Sequence, residues 1–253
     1  MAYTTLCIGC AFAQAQPEPA ATGHLHQLDL ELPVKSGQRI RVVNPDGNVR
    51  IRALPDAAPL QFRATVQTLS GDRSPARIVT TEIDGGIELK LAAADDAEPL
   101  TANEDFLRAD FVLGVPDRIV LEVRMDRGDF TMHQAGYPVT LRANEAQVRL
   151  RTTGRVDVET LAGHVIYQPG RAATPAGGRI LTSSAPVDLL LPGPDALTVE
   201  VVSGAAATTD SLQVLQRRER DGRTIRFRGA GDAAVLNVQT DTGPVRLVVE
   251  GLR

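Results

Sequence analysis

The sequence predicts an all-β protein: a β-solenoid (β-helix-like) stack of two-strand rungs with tight glycine turns, its N-terminal strands forming an irregular cap. Three observations lead there. A short beat recurs along the chain: a glycine or small residue, any residue, apolar, any residue, apolar. Around each beat, charged and apolar residues alternate at period two, the signature of a half-buried strand. No segment carries the 3.6-residue apolar periodicity of an amphipathic helix.

Composition agrees. The 253 residues are 43% hydrophobic but only 4% aromatic, with no Trp. The core is therefore aliphatic. The 22 Gly and 16 Pro are spread along the chain, as many short elements with frequent turns require. A formal net charge of −4 gives no global pull toward nucleic acid, and none is expected as a partner. The basic residues are nearly all Arg, Lys35 and Lys90 being the only lysines.

Residues 1–23 read as an export signal or a disordered N-terminus. The run MAYTTLCIGCAFAQAQ is small and apolar, with small-x-small sites at Ala11-Phe12-Ala13 and Ala13-Gln14-Ala15. It is too short to span a bilayer, so no transmembrane segment is expected. It also lacks a basic n-region, so the start reads as truncated or misannotated. Cys7 and Cys10 both lie here. Their C-x-x-C spacing lacks the βαβ context of a redox site and the second pair of a structural zinc. A lipid anchor on Cys10 is a variant of the export reading. An exported chain would sit in the periplasm or at the cell surface.

Residues 24–253 read as one all-β repeat domain: N-terminal strands over 24–98, an acidic connector over 99–110, and regular rungs over 111–253. The beat opens at Gly47-Asn48-Val49-Arg50-Ile51 and returns at Gly85, Gly128, Ala146, Gly163, Ala185 and Gly243. A strand precedes most of these, as Val156-Asp157-Val158 precedes Leu161-Ala162-Gly163. Val156 and Val158 then share a buried face, and Arg155, Asp157 and Glu159 the wet one. One strand pair cannot bury its face alone, so successive units must stack. The rung after Gly204 is weak, because Ala205, Ala206, Ala207 and Thr208 are poor strand formers.

These motifs resemble a bacterial family of putative adhesins of unknown function, similar to the head-GIN type, whose members carry a signal followed by G-x-apolar-x-apolar strands. Phe111-Val112-Leu113-Gly114-Val115-Pro116 is similar to that family's opening strand, and Val187-Asp188-Leu189-Leu190-Leu191-Pro192 to a later one. The resemblance covers roughly residues 40–251. It implies an adhesin-like role and transfers no catalytic residue.

No catalytic set emerges from the residues themselves. Ser183-Ser184 and Ser203-Gly204 occupy turns, without a G-x-S-x-G elbow. His24 and His26 share one side of a strand, but no third ligand follows at metal spacing, and His133 and His164 are out of phase. Asp46-Gly47, Asp84-Gly85 and Asp241-Thr242-Gly243 read as hairpin signals. No phosphate loop or dinucleotide fingerprint is present, so neither cofactor nor metal is expected. The outward arginines Arg142, Arg149, Arg151 and Arg155 are the candidate ligand surface. They read as a ladder gripping an anionic glycan or other envelope polymer, or, more plainly, as a solvated face laced with Glu145, Asp157 and Glu159. For the whole chain, the reading is a non-catalytic cell-envelope module, adhesin-like or a scaffold for another envelope protein. The alternative is a β-helix enzyme acting on an acidic polysaccharide, for which the scarcity of aromatics makes a sugar-stacking groove hard to build.

Overall fold

The structure, a computed structural model, describes residues 23–69, 76–93, 106–170, 175–193, 196–205, 207–209, 218–221, 224–228 and 233–249. The N-terminal run with Cys7 and Cys10 lies outside them, as do residues 99–105 of the expected connector; residues 106–110 already belong to a strand. The described residues form an 18-stranded mixed sheet and contain no helix.

Three long strands make its centre: β8 (Val120–Ala135), β9 (Val139–Thr152) and β10 (Val156–Pro169). They run parallel and in register, Leu121 beside Val139 and Val139 beside Val156. Each bends once in mid-strand, so each contributes to two faces. The bend shows as consecutive outward residues, Asp126-Arg127 in β8 and Asn144-Glu145 in β9. Either side of it, alternation buries Val139, Leu141, Val148 and Leu150, and likewise Val156, Val158, Val165 and Tyr167.

The other layers are built from strand pairs that meet at the same bend. On the β8 side lie β2 (Arg39–Asp46) and β3 (Val49–Leu54), both parallel to β8, and beyond them β6 (Gly86–Ala93) and β7 (Phe106–Pro116). On the β10 side come β11 (Gly178–Thr182) with β12 (Val187–Leu191), then β17 (Val235–Thr240) with β18 (Val245–Val249), then β13 (Thr198–Ser203) with β14 (Ala207–Thr209). Antiparallel strands close the series: β4 (Leu60–Thr68) on β7 and β1 (His24–Leu32) on β4, β5 (Ala76–Ile83) on β6, and β16 (Thr224–Phe227) with β15 (Arg218–Asp221) on β13.

Stacking order therefore departs from chain order at both ends. Arg39–Leu54, read from sequence as part of the cap, is a layer sandwiched between β6–β7 and β8. Of the weak segment after Gly204, Ala207 and Thr208 in β14 pair with β18, a strand that comes later in the chain, while Ala206 lies outside the described residues.

The beat's small residue also has a different cause from the hairpin turn expected of it. Asp84-Gly85 does form a two-residue hairpin, between β5 and β6. Gly47, Gly128, Ala146, Gly163, Ala185 and Gly243 instead line up at the bend, one per layer. A Cβ on Gly163 would lie 2.0 Å from the Ala146 carbonyl oxygen, and one on Gly128 2.1 Å from that of Gly47. The small residue is there so that neighbouring backbones can approach. Buried polar side chains tie down the same bend. Asn44 Nδ2 donates to the Ala109 carbonyl at 2.9 Å, and Thr160, Thr182 and Thr240 donate to carbonyls two or three residues on, at 2.8, 2.9 and 2.6 Å.

Candidate functional site

The bend divides the outer surface into two faces of different electrostatic character. On the face before it, register places Glu88, Arg41, Glu122, Thr140, Asp157, Arg179, Asn237, Glu200 and Arg226 in one row across the strands. Opposite charges meet along it: Arg41 with Glu88 at 3.4 Å and Glu122 at 3.1 Å, Arg179 with Asp157 at 3.3 Å, Arg226 with Glu200 at 2.6 Å. Burial works to raise the Glu122 carboxyl, but Arg41 and Arg124 beside it outweigh this and hold it below the usual carboxylate range.

Arg142 belongs to this neutralised face. It pairs with Glu159 and lies 3.9 Å from Asp157. Arg149 and Arg151 lie past the bend, on the second face. Arg155 is exposed in the turn from β9 to β10. The structure thus brings Arg149 and Arg151 together and sets Arg142 and Arg155 apart from them.

On the second face, register adds residues that the sequence reading did not gather. Arg50, Thr131 and Arg149 form one row across β3, β8 and β9; Arg52, His133 and Arg151 form the next. Row neighbours two strands apart are separated by about 10 Å, and residues two apart on one strand by about 7 Å. Arg50, Arg149, Arg151 and His133 make no ion pair or side-chain hydrogen bond with the described residues, and Arg52 only touches Gln61 Oε1 at 3.2 Å. The signal for this was present in the beat itself: Arg50, Thr131 and Arg149 each stand three residues after its small residue. The sequence reading places β3 in the cap, away from β8 and β9, and so does not join these residues.

Except for Asp129, the carboxylates nearest the grid on this face are engaged. Asp188 meets His164 Nε2 at 3.0 Å, Asp110 pairs with Arg108 at 2.6 Å, and Asp29 pairs with Arg63 at 2.6 Å. Asp129 precedes Thr131 by two and takes no ion pair. Beside the grid, between β3, β7, β4 and β1, is a cavity of about 350 Å³ lined by Asp29, Glu31, Arg52, Gln61, Arg63 and Val112. Hydrogen bonding from Arg63 and Gln27 lowers the Asp29 pKa, so it stays ionised and accepting.

Other candidates are structural. Ser184 Oγ donates to the Leu161 carbonyl at 3.2 Å and Ser203 Oγ to that of Gly243 at 3.4 Å, as turn residues do. His24 and His26 lie on β1, and among the described residues no group of three or more His, Cys, Asp or Glu is placed to hold a metal. No helix of the described residues is long and apolar enough to cross a membrane.

No family model and no curated protein matches the chain. Solved structures do. Several are bacterial proteins described as putative adhesins or cell adhesion proteins. One is described as a putative cell adhesion protein from Clostridium sporogenes, 10% identical, covering 90% of this chain and 100% of that one, with a TM-score of 0.49. Putative adhesins from Bacteroides fragilis and Parabacteroides distasonis are 14% and 10% identical, each covering 90% of this chain and 98% of theirs, with TM-scores of 0.30 and 0.28. These names agree with the resemblance read in the sequence. At such identities and scores they say nothing of what this chain binds.

Proposed function

We propose that the chain is a non-catalytic, exported module of the cell envelope, adhesin-like, whose layers form a β-solenoid and whose second face binds an anionic polymer. The observation that carries this is the contrast between the two faces. One is neutralised by its own ion pairs; the other holds Arg50, Arg52, Arg149 and Arg151 with no carboxylate partner among the described residues. Unpaired guanidinium groups at strand spacing suit oxyanions, which they grip in a bidentate way. Flat, repeating faces suit a long ligand better than a small one.

The test has two parts. Fractionation of cells making the full chain should place it in the envelope or medium, and a purely cytoplasmic pool with an intact N-terminus defeats the export claim. Retention on an immobilised polyanion should fall as salt rises, because exposed charge pairs are screened over about 8 Å at physiological ionic strength. Salt-independent retention, or none, defeats the binding claim. Cleavage of the polymer during incubation would favour the β-helix enzyme instead.

A further inference from the structure

The grid and the cavity beside it share Arg52, and Arg50 is the register neighbour of the cavity residue Val112. The two are thus one continuous surface with two chemistries. The grid supplies donors with fixed positive charge. The cavity supplies acceptors: the Asp29 and Glu31 carboxylates and the Gln61 amide oxygen, next to the donors Arg52 and Arg63. Carboxylates placed there repel an oxyanion but accept hydrogen bonds from hydroxyl groups. A ligand matching both parts carries acidic groups along its length and hydroxyls at one unit. Bare polyphosphate meets only the grid, and a neutral glycan only the cavity.

Resting on the anionic-polymer reading above, we infer that this surface recognises an acidic polysaccharide. One sugar unit sits in the cavity with its hydroxyls on Asp29, Glu31 and Gln61. The carboxylates of the units that follow lie on the grid over β3, β8 and β9. The cavity's size fits this, since pockets for small ligands begin at roughly 300 Å³. The rows fix the direction of the chain: it crosses the strands from β7 toward β9, because each row of basic groups runs across the strands. Thr131 and His133, midway along the rows, face the same ligand.

The probes are oligomers of polygalacturonate, the same oligomers with their carboxyls methyl-esterified, and polyphosphate of similar length, titrated against the full chain. Polygalacturonate should bind, and its esterified form at least tenfold more weakly. The double variant Arg149→Ser, Arg151→Ser should lose at least tenfold for both polyanions, while Arg142→Ser, beyond the bend, changes neither. Val112→Phe fills the cavity without altering charge and should weaken polygalacturonate about tenfold while leaving polyphosphate unchanged. Gln61→Ala, which adds no bulk, should act in the same direction and covers the case in which Val112→Phe misfolds. If polyphosphate binds as well as polygalacturonate and neither cavity variant matters, the polysaccharide assignment is overturned while the anionic face stands. If no polyanion binds the native chain, both fail together.

Discussion

Gly163→Ala tests the stacking directly. At Gly163 φ is +109°, and an added Cβ would lie 2.0 Å from the Ala146 carbonyl oxygen and 2.6 Å from its carbon, both backbone atoms of the next layer. Two costs add. Forcing a side chain into that region of φ costs about 1–3 kcal/mol. Parting two hydrogen-bonded layers to admit a methyl group costs about another 1–3 kcal/mol, as overpacking does. The sum is about 2–6 kcal/mol, a large share of a typical domain's stability of roughly 5–15 kcal/mol. Gly85→Ala separates the two costs. Its φ of +72° is also left-handed, but nothing lies within 4 Å of an added Cβ, so only the strain, about 1 kcal/mol, remains. Ala146→Gly, in the same column as Gly163, should cost under about 1 kcal/mol through backbone entropy. Urea unfolding followed by far-UV circular dichroism gives the three midpoints. If Gly163→Ala were no worse than Gly85→Ala, the close approach of layers at the bend would be refuted.

Three further outcomes are expected. Val158→Asp places an unpaired charge at a site with no solvent exposure, between Leu141 and Ile180, and should cost at least about 3 kcal/mol; Asp157→Val, one residue away, loses ion pairs with Arg142 and Arg179 and should cost about 1 kcal/mol or less. Equal losses would overturn the register. Because the folded-state pKa of Glu122 is depressed, its contribution is present above the unfolded value of about 4.3 and is lost as pH falls through the folded pKa. Glu122→Gln should therefore flatten the fall in stability on acidification below pH 5, and an unchanged slope counts against the Arg41–Glu122–Arg124 cluster. Asn44→Ala leaves the buried Ala109 carbonyl without its donor, and thermal melts should register a loss of about 1–3 kcal/mol.

Much of this was legible along the chain. Period-two alternation assigned the buried set, and Val49, Ile51, Val156, Val158, Val187, Leu189, Val245 and Leu247 all sit in the core. The beat marked each layer, and Asp84-Gly85 announced its hairpin. These features are local: a strand's two faces and a two-residue turn depend on residues within a few positions of one another.

What tertiary structure alone decided is adjacency. Alternation says that Arg50 and Arg149 point outward but not that β3 lies two strands from β9. The chain leaves that stack after β3, builds β4 to β7, and returns at β8 beside the layer it left. Strand pairing is a contact between segments distant in sequence, and the same alternation would satisfy many orders of stacking. The bend likewise separates Arg142 from Arg149, though they are only seven positions apart. Sequence thus determined which side chains face water. Only the fold decided which of them stand together, and so that the charges of one face cancel while Arg50, Arg149 and Arg151 on the other have no ion-pair partner among the described residues.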